Sequence, residues 1–283
     1  VTHWIRPTSL AEALAARAEH PGHVLLAGGT DLMVGALERP DPEGVIDLFG
    51  LPELVGVSRD DDGRLRIGAG TTYARLLAED AVRRDLPALW AAAREVGALQ
   101  IQSRGTIGGN IGTSSPVGDT LPVLLALDAE LELASATGVR HVAYEDFCTG
   151  YRTHALRADE LITAVRFPSD VGARTQVWRK VGTRRAQSIS KVMFAASVAR
   201  EDDGRVTLAR LALGAVREVP IRARAAEALL EGATPDGELA DRVAEAVGQD
   251  AAPIDDVRSR ADYRRAVARR LVRRFVLGLA TKG

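Results

Sequence analysis

The chain has 283 residues, 46% of them hydrophobic, and a formal net charge of -1. That is enough apolar material for one large or two modest domains, and the balanced charge gives no overall bias toward nucleic acid or an anionic membrane. The single cysteine, Cys148, excludes an internal disulfide framework and leaves no ligand set for an iron-sulfur cluster or a structural zinc ion, so any such centre must sit on a partner.

No apolar run reaches the roughly 18 residues of a membrane span, and the first residues show no basic-then-apolar leader, so the cytoplasm is the expected location and no integral membrane segment is expected. Ser9 followed by Glu12 is a capping box, and Leu10, Ala13, Leu14 and Ala18 form the apolar stripe of a helix that Pro21-Gly22 ends. The same Pro-Gly pair separates His20 from His23, which read as helix-end polar residues rather than metal ligands. A short apolar strand over 23–27 runs into the glycine turn Gly28 to Asp31, with a strand or short helix over 32–37 and a strand over 44–48. Residues 54–70 predict two strands about an Asp-Gly turn. Helical patterns follow at 72–80 and 87–98, then a glycine-rich stretch from Thr106 to Asp119, "TIGGNIGTSSPVGD", then a helix over 120–127. Strands over 130–135 and 160–168 lead to a polar, turn-rich boundary at 169–174. Beyond it, strands over 187–200 and 205–215 form a hairpin, and helices occupy about 222–231, 236–248 and 259–280, the last capped by Ser259. On that last helix Tyr263, Val267, Leu271 and Phe275 recur on one side, and Arg264, Arg265, Arg269, Arg270, Arg273 and Arg274 crowd the other, a pattern that reads as a solvated face.

Glycine admits backbone conformations closed to other residues and lets a ligand approach main-chain N–H groups, which hold anionic oxygen well. Two such turns, residues 27–31 and 106–110, each with a threonine hydroxyl, suit the pyrophosphate of a dinucleotide. A Rossmann fingerprint does not account for them: "GAGTTY" (68–73) carries Tyr73 where a third small residue is required, and the chain has no P-loop. Glycine turns that only join strands are the plain alternative.

The segments "LLAGGTDLMVG" (25–35), "TIGGNIGTSSPVGDTLPVLLALDAELEL" (106–133), "VRFP" (165–168), "RKVGTRRAQSISKV" (179–192) and "DDVRSRADYRRAVARRLVRR" (255–274) carry a resemblance that runs nearly end to end. They resemble the FAD-binding medium subunit of the molybdenum hydroxylases, the family of the FAD subunits of bacterial xanthine dehydrogenase and aerobic carbon monoxide dehydrogenase. The resemblance implies an α+β chain: a vanillyl-alcohol-oxidase-type FAD-binding domain over 1–173, then a smaller domain of antiparallel sheet and helices over 174–283. It implies noncovalent FAD clasped by Leu25, Leu26, Ala27, Gly28, Gly29, Thr30, Asp31 and Leu32 and by Thr106, Ile107, Gly108, Gly109 and Asn110, with Thr113 and Asp119 beside them. Ile162 and Lys180 match positions near the isoalloxazine, and Val181 to Lys191 a loop that influences access of the oxidant. Val96 stands where some relatives carry an aromatic residue, which leaves a small aliphatic side chain there. The cysteine-rich insertion of the benzoyl-CoA-reductase-like branch is missing.

The function implied is electron transfer. A molybdenum large subunit would oxidise the substrate, an iron-sulfur small subunit with 2Fe-2S clusters would relay electrons, and FAD here would pass them to NAD or another acceptor. No catalytic acid, base or metal ligand is expected in this chain. The "AGGTDLMV" and "SSPVGD" segments lean toward xanthine dehydrogenase, with carbon monoxide dehydrogenase or an aldehyde- or heterocycle-oxidising relative as the alternative. A stand-alone FAD oxidase is a further alternative, disfavoured by the short C-terminal part.

Overall fold

A computed structural model of the protein describes residues 2–34, 36–38, 40–184 and 187–281. The expected elements over 32–37 and the loop from Val181 to Lys191 therefore include Gly35, Arg185 and Ala186, which lie outside the described residues. Near the start, the Ser9 hydroxyl accepts the Glu12 N–H at 3.2 Å and opens the helix Leu10–Glu19. Glu12 completes the cap one residue early, accepting from the N–H and hydroxyl of Thr8. This helix accompanies a three-stranded parallel sheet in the order His3–Ile5, Gly44–Asp47, Val24–Leu26.

A five-stranded antiparallel sheet comes next, ordered Val57–Arg59, Leu65–Gly68, Leu161–Phe167, Glu130–Ser135, Gly138–Ala143. Its central strand, Leu161–Phe167, is almost wholly buried, which is why it reads as an apolar run. The edge strand Gly138–Ala143 is mostly exposed and carries no apolar signal.

The glycine-rich stretch is not the turn that its composition suggests. Thr106 caps a short helix, Ile107–Thr113, by accepting the Gly109 N–H at 3.0 Å, and Ser114 ends it in a left-handed conformation, φ 46°. A second short helix, Leu99–Arg104, precedes it. Tertiary packing overrides the glycine penalty here, because Ile107 and Ile111 are both fully buried in the first domain's core.

After Phe167 the chain crosses into a four-stranded antiparallel sheet ordered Thr175–Val181, Val192–Arg200, Val206–Gly214, Ile221–Arg222. The strand Val192–Arg200 buries both faces. Val192, Phe194, Ala196 and Val198 pack under the helices Arg224–Leu230, Gly237–Asp250 and Ala261–Ala280, while Ala195 and Ala212 join the first domain's core. Carboxylates of the first domain hold arginines across the seam: Asp128 meets Arg210 and Arg222 of the second domain and Arg174 of the connection, and Glu145 meets Arg224.

Two expectations for the last helix are corrected. Ser259 does not cap it: the helix begins at Ala261, whose N–H is taken by the Asp255 carboxylate. The inward face is Arg264, Ala268, Val272, Val276 and Leu279, whereas Tyr263 is exposed. Arg264 turns inward because Asp256 supplies a carboxylate at 2.6 Å, a partner that periodicity cannot reveal. Arg269 and Arg273 lie outside and pair with Glu245 and Asp241 of the neighbouring helix.

Candidate functional site

The two glycine segments meet, although they are almost eighty residues apart. Leu25 to Leu32 leave the parallel sheet and face the helix that begins at Ile107, and a cleft with two arms opens between them. One arm, about 280 Å³, is bounded by Tyr73, Val96, Asn110 and Asp119. The other, about 400 Å³, is bounded by His23, Leu54, His154, Leu161 and Ile162. Leu25, Ala27, Asp31, Leu32, Thr106, Gly109 and Thr113 border both arms and so form the elbow.

The glycines divide into two kinds. At Gly28 a Cβ would lie 1.9 Å from the Arg104 carbonyl oxygen, and at Gly108 it would lie 2.6 Å from the Ala69 Cβ. Both are small because the chain's own backbone fills that space. Gly109 is different: its Cβ would meet only the Thr106 Oγ1, at 3.0 Å, and it borders the cleft. Gly29 has φ +75°, the left-handed region that favours glycine, and borders the same arm.

The main-chain donors also divide. Ile107, Gly108 and Gly109 spend their N–H groups within the protein, on Thr71 O, Ala69 O and Thr106 Oγ1. The "GAGTTY" segment is thus the strap that holds the second glycine segment in place. By contrast, the N–H groups of Gly28, Gly29, Thr30, Asp31 and Leu32 have no hydrogen-bond acceptor among the described residues. Consecutive unpartnered amides at the elbow of a polar cleft are a binding surface for anionic oxygen. Of the two turns expected to present N–H groups, only the first does so.

Around the elbow, Thr113 donates to Asp31 at 3.4 Å, and Asn110 accepts from the Thr120 hydroxyl at 2.7 Å. Asp119 is held entirely from the second domain. Lys180 Nζ donates to its Oδ2 at 2.8 Å, the Ser190 hydroxyl to its Oδ1 at 3.0 Å, and the Trp178 indole N–H to its main-chain oxygen at 3.0 Å. The side chains of Lys180 and Asp119 are 9% and 12% exposed. Burial pushes the Asp119 carboxyl above the ordinary range, against the opposing pull of Lys180 and Ser190. Lys180 borders a separate cationic hollow with Arg94, Arg179 and Glu95 rather than the cleft itself.

The structure therefore brings Leu25 to Leu32, Thr106, Gly109, Asn110, Thr113 and Asp119 together, and places Lys180 behind Asp119. It separates Ile162 from them. Ile162 lies on the central strand of the antiparallel sheet and borders the other arm, so it does not share a location with Val96 or Lys180. Sequence reasoning missed Trp178 and the contacts of Tyr73 and of Ser190, which it placed only within the segment Val181 to Lys191, because their hydrogen bonds cross between segments that no local pattern connects.

The residues fit a dinucleotide: two arms, unpartnered amides at the elbow, and a carboxylate in one arm. The comparisons agree. The family model described as the FAD binding domain in molybdopterin dehydrogenase matches residues 1–170, and the CO dehydrogenase flavoprotein C-terminal domain matches residues 178–279. The chain is 35% identical over 261 residues to the xanthine dehydrogenase FAD-binding subunit of Escherichia coli O157:H7, covering 92% of this chain and 89% of that one. Among solved structures it is similar to the carbon monoxide dehydrogenase of Hydrogenophaga pseudoflava, with a TM-score of 0.90, 30% identity, and 96% and 95% of the two chains covered. Quinoline 2-oxidoreductase of Pseudomonas putida 86 is similar too, with a TM-score of 0.91, 28% identity, and 100% and 98% covered.

Proposed function

Because the chain belongs to the FAD-binding family of the molybdopterin dehydrogenases, we propose that it takes electrons from 2Fe-2S clusters on a small partner subunit and passes them to NAD or another acceptor. In this reading the substrate would be oxidised on a large partner subunit, where a molybdenum cofactor would supply the chemistry. The observation that carries the proposal is the row of unpartnered amides, Gly28 to Leu32, at the elbow of a cleft with two arms.

Bound FAD supplies the chemistry of gathering single electrons into a two-electron transfer. The chain's residues bind and orient. The amides of Gly28 to Leu32 would hold the pyrophosphate, and Gly109 leaves room beside them. Asp119 closes one arm and is held there by Lys180 and Ser190 of the second domain, so we assign that arm to the isoalloxazine. The leucine-lined arm with Ile162 then takes the adenosine. Asp119 accepts hydrogen bonds in the ring arm, and Lys180 acts on that arm through Asp119. No side chain of this chain is required to move a proton.

For the substrate we favour a xanthine-type purine, the molecule named in the relative with 35% identity. Relatives named for carbon monoxide and quinoline share the fold closely, as expected if substrate selection rests with the large partner. The test is co-expression with the neighbouring reading frames. The complex should oxidise its substrate and reduce NAD or another acceptor, while the isolated chain binds FAD and oxidises nothing. An isolated chain that oxidises a purine or aldehyde at the rate of the complex would refute the proposal.

A further inference from the structure

We infer that Ser190 is a positioning residue, which fixes the plane of the Asp119 carboxylate in the cofactor cleft and so is itself a determinant of flavin affinity. The inference rests on the reading of the cleft as a flavin site. Asp119 lies between the helix Ile107–Thr113 and the helix Leu121–Ala126, yet the donors to its carboxylate come from the other domain. Trp178 and Lys180 are two residues apart on the strand Thr175–Val181 and so project from one face of it. Ser190 arrives from elsewhere. The chain leaves that strand after Val181 and returns where the Lys191 N–H meets the Val181 carbonyl at 2.8 Å, and Ser190 is the residue just before that closure.

The two donors differ in what they fix. Lys180 brings a compact charge on a flexible stem, which neutralises the carboxylate without defining its plane. A second donor on the other oxygen removes the remaining rotation, and the Ser190 hydroxyl is that donor at 3.0 Å. Ser190 is 1% exposed, so water does not replace the hydroxyl when it is removed. With alanine at this position Oδ1 would stay buried without that donor, and the carboxyl would rotate or take up a proton.

The charged and titratable groups facing Asp119 set the direction of the pH effect. Burial raises the carboxyl, the Lys180 ammonium and Ser190 hydroxyl lower it, and Glu95 raises it further. The Tyr73 phenol is itself pushed up by burial and stays neutral. Removing the Ser190 hydroxyl takes away a bond to the ionised form, so Asp119 should be protonated at a higher pH. Flavin affinity that depends on the ionised carboxylate should then begin to fall at a higher pH as the solution is acidified.

The experiment is a titration of the full chain with FAD, followed by quenching of flavin fluorescence, at a series of pH values. It uses the wild type, Ser190→Ala, Asp119→Ala and the double variant. Ser190→Ala removes one oxygen and adds no bulk. It should weaken FAD binding by roughly 10- to 100-fold, the range for a hydrogen bond to a charged group, and move the acid limb of binding to higher pH. In the Asp119→Ala background the same change should add nothing, because its target is gone. Unchanged affinity in Ser190→Ala, an acid limb that does not move, or an equal loss in both backgrounds would overturn the inference. A wild-type chain that binds no FAD would overturn the flavin reading as well.

Discussion

Asp128 joins the two domains, and replacing it with asparagine should loosen them by a predictable amount. It sits in a left-handed turn, φ 50°, and receives Arg174, Arg210 and Arg222 at 2.9, 2.8 and 3.3 Å. Asparagine keeps the shape and tolerates the left-handed backbone, so Asp128→Asn removes the charge that three guanidiniums share and turns one of its two acceptor oxygens into a donor facing a guanidinium. Arg174 and Arg222 are only 5% and 4% exposed at their side chains, and water is a poor substitute partner there. Breaking a buried ion pair costs about 3–5 kcal/mol. Here Arg174 retains Asp170, Arg210 retains Glu231 and Arg222 retains Glu227, while Asp128 itself is 28% exposed. The expected loss is therefore about 2–3 kcal/mol, below that range. At roughly 2–4 °C per kcal/mol for a chain of this size, Tm should fall by roughly 4–12 °C in a calorimetric scan. Asp128→Ala should lose about 1–2 kcal/mol more, because alanine gains nothing locally in a left-handed turn. An Asp128→Asn protein that melts with the wild type would refute the role of the charge. Equal melting of the asparagine and alanine variants would refute the backbone part of the argument.

The two kinds of glycine should separate in the same assays. Gly108→Ala forces a Cβ within 2.7 Å of the Ala69 carbonyl oxygen and should destabilise the protein by about 1–3 kcal/mol even without flavin. Gly109→Val should leave melting of the flavin-free protein within about 1 kcal/mol of wild type yet lower FAD affinity at least about tenfold, so tight FAD binding by this variant would contradict the cleft assignment. Lys180→Met removes the cation beside Asp119 and, in the complex, should weaken FAD and slow NAD reduction, while molybdenum-site turnover with an artificial acceptor that bypasses flavin is unchanged. Unaltered FAD affinity and NAD reduction would remove Lys180 from the account. Burial works to raise the Asp256 carboxyl, but the Arg264 guanidinium and the N–H groups of Arg258 and Ser259 outweigh it and hold it at about 2. That depressed value stabilises the fold above the ordinary carboxyl range, and the contribution is lost as pH falls from about 4 toward 2. The stability gap between wild type and Asp256→Asn should close over that interval, and a gap that is constant with pH would refute the assignment.

Much of the site was legible because it is local. The "AGGTD" and "TIGGN" segments, with Asp119 a few residues on, carry their chemistry in adjacent residues, and the structure brings all three to one cleft. What stayed hidden depends on contacts between distant segments. Composition suggests that all four glycines of these motifs make room for a ligand, yet Gly28 and Gly108 make room for Arg104 and Ala69. The helix Ile107–Thr113 was hidden by its glycines, which argue locally for a turn while Ile107 and Ile111 anchor it in the core. Arg264 reads as solvated because it is a charge among charges, whereas the Asp256 carboxylate and the Ala215 carbonyl, both distant in pattern, hold it inward. Ser190 lies in the segment Val181 to Lys191 that the resemblance sets beside the flavin, but its bond to Asp119, across 71 positions of chain, has no local pattern.

The central claim is that this chain holds FAD noncovalently in the cleft between Gly28 and Asp119. The most direct measurement is to denature the purified protein, or its complex, and identify the released flavin by mass and absorbance. The account predicts unmodified FAD in amounts stoichiometric with the chain. FMN, flavin that remains attached to the polypeptide, or no flavin after incubation with FAD would contradict it.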